Sequence, residues 1–293
     1  MWHFEQLEFH DQLSFIKGGL VFSDAITTVS PTYAREIKTP ELGYGLDGLL
    51  RHRAARLSGI LNGIDAEVWD PQHDPYLKAH YSQEDLTGKA ECRKQLQQAL
   101  GLKIGSAPLL GFVGRLVEQK GLDWLLDVIP ALLRQGCQFA LLGSGETLYE
   151  KALQALARQW PDQFALTLGY NEAMAHRITA GADLFLMPSK FEPCGLNQMY
   201  SLRYGTLPVV HGVGGLNDTV FDPAEASSDI ANGFVFRQPS SGALMNAIER
   251  ALNAWEEPET WLQLQQTGMA GDYSWKSRAK DYINLYRSLI NEQ

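Results

Sequence analysis

From Pro108 onward the chain alternates short apolar runs with stretches of helical spacing, and no other feature constrains the fold as strongly. Leu109-Leu110-Gly111-Phe112-Val113, Gln138-Phe139-Ala140-Leu141-Leu142, Phe164-Ala165-Leu166-Thr167-Leu168, Asp183-Leu184-Phe185-Leu186-Met187 and Leu207-Pro208-Val209-Val210 read as strands. The helix after the first strand places Leu122, Leu125, Leu126, Ile129, Leu132 and Leu133 on one face, with Pro130 expected to bend it. Further helices are expected over 147–160, over 172–180 and from the 194 region to about Tyr204. Strands apolar on both sides need cover on both sides, so the expected class is α/β with a parallel sheet between two helical layers. Such sheets bind ligands beyond the carboxyl ends of their strands. Arg115, Lys120, Gly143-Ser144-Gly145, Tyr170 and residues 192–197 all fall at those ends.

The flanks are less regular. Leu20-Val21-Phe22 and residues 25–29 are β-rich, and Ser30-Pro31 opens a helix with a cap and an early proline. One or two strands cannot make a sheet domain, so residues 1–58 read as the closing elements of a domain that begins elsewhere. Residues 59–70 are expected as a short apolar strand, Gly59 to Asp65, ending in turn residues, 71–88 as a polar surface loop, and the stretch from about 86 to 100 as a helix. The last fifty or so residues read as helical, and Tyr282, Leu285, Tyr286 and Leu289, with Trp275 before them, form an apolar face that needs a partner surface. The expected division is 1–58, 59–272 and 273–293.

Composition narrows the class of function. The chain has 293 residues, 45% hydrophobic and 20% charged, enough to form a core. A net charge of −9 is the wrong sign for a general nucleic-acid binder, so any phosphate site should be local. No apolar run approaches the roughly 18 residues of a membrane span, and the N-terminus does not read as a signal peptide. Cys92, Cys137 and Cys194 are odd in number and lack CxxC spacing, which suggests a reducing, cytoplasmic setting.

The chemistry concentrates at 187–197. A strand ends at Met187, a loop presents Glu192, and Pro193 leads into a helix expected to begin with Cys194, Gly195, Leu196 and Asn197. The free N–H groups of a helix start attract phosphate. Arg115 and Lys120, five apart in another strand-end loop, can converge on one anion, although two loop cations are commonly plain surface charges. Glu192 also reads as a first-turn carboxylate favouring the helix dipole. Cys194 could be activated by the helix start, but a small buried residue in a tight turn is the simpler reading. Tyr170 suits stacking on a base, and a core or rim tyrosine is equally expected there. Gly143-Ser144-Gly145 fails as a dinucleotide fingerprint, and His73 and His80 lack metal-ligand companions at suitable spacing. Trp124 and Trp160 read as core.

In combination these motifs resemble a known family. Gly114-Arg115-Leu116, Gln119-Lys120-Gly121, Lys190-Phe191-Glu192-Pro193-Cys194-Gly195-Leu196, Arg203-Tyr204-Gly205-Thr206-Leu207-Pro208 and Gly214-Gly215-Leu216 with Asp218-Thr219-Val220 resemble bacterial glycogen synthases and plant starch synthases. Thr28-Val29-Ser30-Pro31-Thr32-Tyr33 and Ile60-Leu61-Asn62-Gly63-Ile64-Asp65 fit the same family in the same order. The resemblance implies the GT-B architecture, two Rossmann-like domains facing across a cleft. It implies transfer of glucose from ADP-glucose, or UDP-glucose in some relatives, to the 4-hydroxyl of an α-1,4-glucan, with retention and without metal or cofactor. It makes residues 1–58 the end of an acceptor-side domain, 59–272 the donor domain and 273–293 a helix crossing back.

The resemblance also implies roles. Arg115 and Lys120 would grip the diphosphate, and Glu192 would serve as the acid beside the donor glucose. Cys194, Gly195, Leu196 and Asn197 would line the phosphate, Tyr170 would stack on the base, and Asn62 would face the sugar. Two departures stand out. Tyr200 occupies the position where related glucosyltransferases carry a ribose-binding Glu, as it does in the synthases themselves. Lys17-Gly18-Gly19-Leu20 looks like the family's early Lys-x-Gly-Gly-Leu loop but lies too close to the later motifs, and it reads as coincidence. The expectation is therefore a glycosyltransferase active only with a separately supplied N-terminal half. The alternatives are a binding module that holds ADP-glucose without transferring it, and a remnant prone to aggregate.

Overall fold

The computed structural model describes residue 3 and residues 6–291. A short antiparallel pair, β1 (Glu8–Phe9) and β2 (Gln12–Leu13), precedes α1 (Phe15–Phe22), β3 (Ile26–Thr28), α2 (Pro31–Glu36), α3 (Pro40–Gly43), α4 (Asp47–His52) and β4 (Leu57–Gly59). After a long irregular segment come α5 (Thr87–Leu100), β5 (Leu109–Leu116), α6 (Leu122–Arg134), β6 (Gln138–Gly145), α7 (Thr147–Gln159), β7 (Phe164–Leu168) and α8 (Glu172–Gly181). Then follow β8 (Leu184–Met187), α9 (Asn197–Arg203), β9 (Leu207–His211), α10 (Gly214–Asn217), β10 (Phe234–Phe236), α11 (Ser241–Trp255), α12 (Pro258–Ala270) and α13 (Trp275–Asn291).

Six strands form one parallel sheet in the order β10-β9-β8-β5-β6-β7. The chain enters at β5 in the middle, winds out through β6 and β7, then returns to build β8, β9 and β10 on the other side. The reversal lies between β5 and β8, where doubly wound sheets open a crevice for ligands. Register shows the opening. β5 pairs with β6 over eight positions, Leu109↔Gln138 through Leu116↔Gly145, whereas it meets β8 only at Leu110↔Leu184 and Gly111↔Phe185. Beyond those pairs the two strands part.

Side-chain alternation places the core on both faces. Leu184 and Leu186 join Leu110, Phe112, Phe139 and Leu141 beneath Leu125, Ile129 and Leu132 of α6 and Leu244 and Ile248 of α11. Phe185 and Met187 face the opposite way, with Leu109, Ala140 and Leu142 against Leu96 of α5 and Ile178 of α8. α6 runs on past Pro130 to Arg134. Trp124 and Trp160 are half-buried against the first of these clusters.

Four local expectations are corrected. Leu20-Val21-Phe22 is not a strand but the end of α1, whose first turn is capped by Ser14 accepting from Lys17 N at 3.2 Å. Residues 59–65 are not a continuous strand. The ladder with β3 covers Leu57–Gly59, and the backbone then turns away so that Ile64 N donates to Tyr273 O at 2.7 Å. Residues 71–88 are irregular but not superficial, because Asp74 is fully buried, accepting from His176 Nδ1 at 2.7 Å and from the Tyr204 hydroxyl at 2.6 Å. Leu77 and Tyr81 are buried beside it. The helix after Pro193 begins at Asn197 and not at Cys194, since Gly195 takes φ +71° and breaks helical geometry there.

The small parallel pair β3–β4 carries α2, and α2 rests on α10. Asp218 accepts from Thr32 N at 2.8 Å and from Thr32 Oγ1 at 2.6 Å. At the other end none of the described α13 side chains is buried. No helix among the described residues is long and apolar enough to cross a membrane.

Candidate functional site at the switch point

The loops after β5 and β8 are laced together at the crevice. Lys190 N donates to Gln119 O at 2.8 Å, and Gln119 Nε2 donates to Phe191 O at 3.1 Å. Gly121 permits this closeness. It has φ +71°, and a Cβ there would lie 1.9 Å from Pro188 O. On the far side the Gly214 N–H donates to a Glu36 carboxylate oxygen at 2.9 Å, and a Cβ on Gly214 would lie 1.8 Å from Glu192 O. The 188–194 loop is thus clamped between two glycine turns that admit no side chain.

Glu192 sits inside this clamp, 7% exposed. Its Oε2 accepts from Lys120 Nζ at 2.5 Å and from Ser189 Oγ at 2.8 Å. Lys120 keeps two further ammonium protons for another acceptor. The neighbouring cation, Lys190, bridges Glu118 at 2.7 Å and Asp123 at 2.9 Å and lies 5.5 Å from the Trp124 ring centroid. Burial works to lower the Lys190 pKa, but the hydrogen bonds and charges of Glu118 and Asp123 outweigh it and raise it.

The sequence expectation that Arg115 and Lys120 meet on one anion is not how the two side chains rest here. Lys120 turns to Glu192, while Arg115 is exposed and donates to Gln119 Oε1 at 2.7 Å. Arg115 instead borders a cavity of about 270 Å³ at the carboxyl ends of β5, β6 and β7, walled by Val113, Leu142, Ser144, Tyr170 and Asn171. Tyr170 is 89% exposed at its mouth, so it belongs to the rim and not to the core.

Asn197 ties the start of α9 to the end of β5, its Nδ2 donating to Val113 O at 2.8 Å. Among the described residues no acceptor meets the N–H of Gly195, Leu196 or Asn197, and these donors lie in the turn and first residue of α9. Cys194 is buried in a satellite cluster with Leu61, Ile64 and Met199, where the Asn62 backbone reaches its thiol. Burial pushes that thiol's pKa up, which favours the packing reading over a reactive one. Asn62 therefore lies against Cys194 at the turn before α9, half-buried.

Sequence reasoning overlooked Ser189, Gln119 and His211. The first two lie inside the motifs that define the site, where a small hydroxyl and an amide pass as spacers. His211, 5% exposed at the end of β9, comes to the site only through sheet order. His73 pairs with Asp70 at 2.7 Å, and among the described residues no three His, Cys, Asp or Glu side chains are grouped as a metal site.

Comparison with known proteins adds independent findings. The family "Glycosyl transferases group 1" matches residues 95–264, and "Starch synthase catalytic domain" matches residues 1–52. The chain is 68% identical over 290 residues to a glycogen synthase of Marinobacter nauticus, covering 99% of this chain and 59% of that protein. It is 56% identical over 292 residues to a glycogen synthase of Cellvibrio japonicus, covering 99% and 61%. The catalytic domain of starch synthase IV from Arabidopsis thaliana, solved with ADP and acarbose, superposes with a TM-score of 0.91 at 40% identity, over 97% of this chain and 59% of that one. The chain thus spans about three fifths of the length of the relatives it matches.

Proposed function

We propose, for a chain that belongs to the group 1 glycosyl transferases, that the switch-point crevice is the nucleotide-sugar site of a glycogen synthase. In this reading glucose passes from ADP-glucose to the nonreducing 4-hydroxyl of an α-1,4-glucan with retention. The observation that carries it is the Lys120–Glu192 pair in the loops that follow β5 and β8, with Arg115 of the same β5 lining a cavity together with Tyr170. A likeness to a starch synthase solved with ADP supports the choice of nucleotide.

Each side chain has a chemical task here. Tyr170 stacks on the base at the mouth of the cavity. Arg115 swings from Gln119 to the diphosphate, and Lys120 gives it the ammonium protons that Glu192 leaves over. Together with the N–H groups of Gly195, Leu196 and Asn197 they neutralise the charge that grows as the C1–O bond to ADP breaks. These cations and donors do this work without a metal or a further cofactor. Glu192 faces the glucose and favours its oxocarbenium-like character. The acceptor oxygen bonds C1 on the face that ADP leaves, and its proton passes to the departing phosphate. The partners are the donor, the glucan and a separately encoded N-terminal half, in the cytoplasm.

The residues given a task here all lie at the strand ends of one sheet and act on the donor, which favours a second reading, a donor-binding unit that does not transfer alone. Titrating the chain with ADP and measuring labelled glucose incorporation into glycogen, with and without an added acceptor-side half, separates the two. Lys120→Ala should weaken ADP binding about tenfold or more. Absence of ADP binding, or undiminished binding by Lys120→Ala, overturns the donor-site assignment. Incorporation by the chain alone overturns the requirement for the other half.

A further inference from the structure

Glu192 is held through one oxygen and left open at the other. Lys120 Nζ and Ser189 Oγ both donate to Oε2, and among the described residues no protein donor meets Oε1. We infer that Ser189 is a positioning residue that aims Glu192 Oε1 at the donor sugar, an inference that rests on the donor-site reading above.

Ser189 is 1% exposed, two residues past the end of β8. Its carbonyl meets His211 Nδ1 at 2.9 Å, and because a carbonyl can only accept, Nδ1 carries the proton. His211 is itself wedged, stacked on Phe236 at 5.0 Å and 19° and edge-on to Trp124 at 5.5 Å. Aromatic packing therefore fixes the Ser189 backbone, and the Ser189 hydroxyl fixes the carboxylate three residues on.

The two donors differ in what a bound nucleotide does to them. Lys120 is a cation that the diphosphate also attracts, so in the donor complex its ammonium is shared between Glu192 and the phosphate. The Ser189 hydroxyl is neutral and enclosed, so the phosphate does not draw it away. When the sugar arrives, Ser189 remains to hold Oε2 and keep Oε1 in place. Its effect is expected on the glucose part of the donor and not on the nucleotide part.

Calorimetric titration of the chain with ADP and with ADP-glucose tests this. Ser189→Ala should bind ADP within about twofold of the unaltered chain and lose about tenfold in ADP-glucose affinity. Ser189→Thr, which keeps the hydroxyl, should recover most of that loss. Equal weakening toward both ligands, or no change toward either, overturns the inference, because Ser189 would then be shaping the loop or doing nothing. A Thr variant as impaired as Ala also overturns it. If the unaltered chain binds no ADP, the donor-site reading fails and takes this inference with it. ADP binding with an unchanged glucose increment in Ser189→Ala refutes the role of Ser189 alone.

Discussion

Lys89 lies in the interior with its ammonium donating to Ala180 O at 2.9 Å, Tyr204 O at 3.1 Å and Thr206 Oγ1 at 2.6 Å. All three protons have acceptors, yet none of the acceptors carries a full charge. Burial accordingly lowers its pKa from 10.5 to about 8, with Asp183 pulling the other way. An unfolded lysine keeps its proton to near 10.4, so between pH 8 and 10.5 the unfolded state binds more protons and this site's contribution to stability rises with pH. Below pH 8 both states are protonated and the cost of burying the charge is present in full. Urea unfolding of the native chain and Lys89→Met at pH 7.5 and pH 10 should show their difference moving in the native chain's favour, by on the order of 2 kcal/mol. A difference independent of pH across that window would show that Lys89 is not a buried ammonium.

The element that joins the first sixty residues to the large sheet is α2. Its first turn is satisfied from outside and from its own cap. Ser30 Oγ accepts from Tyr33 N at 2.9 Å, and Asp218, 186 positions away, accepts from Thr32 N and Thr32 Oγ1. A carboxylate at a helix N-terminus also suits the dipole. Asp218→Ala should cost about 1–3 kcal/mol and free the small β3–β4 unit to open locally. Limited proteolysis should then cut within the first sixty residues faster than in the unaltered chain, while sites in the six-stranded sheet stay protected. Unchanged cleavage would place the docking of α2 elsewhere. The same elements explain the motif Thr28-Val29-Ser30-Pro31-Thr32-Tyr33. Its capping serine and N1 proline are local signals, whereas its Thr32 answers to a residue only the fold brings near.

Across the whole molecule, the sheet buries its apolar strands on both faces while α13 leaves an apolar stripe uncovered. Trp275, Ile283, Tyr286 and Ile290 are 47%, 46%, 59% and 71% exposed. Replacing Tyr286 and Ile290 together by Lys should cut the binding of an apolar dye and reduce self-association, with Tm unchanged within about 1 °C. A large fall in Tm would mean the stripe is packed within the molecule.

The parallel sheet was legible because strands buried on both faces must be apolar throughout, and Leu109 to Val113 and Leu184 to Met187 are. The strand-end location of Arg115, Lys120, Tyr170 and Glu192 followed from the same rhythm, since loops after such strands collect at one edge. A helix soon after Pro193 was readable, but Gly195 moves its start to Asn197. What the chain order could not contain was distance. Lys120 meets Glu192 72 positions on, and His211 meets the Ser189 carbonyl 22 positions back, because β8 and β9 lie side by side and β5 parts from β8. Local composition determined the strands, the helices and the residues at the crevice's rim. Tertiary structure alone decided which of those residues touch, since a hydrogen bond is set by the placement of the backbones that carry it and not by their separation along the chain.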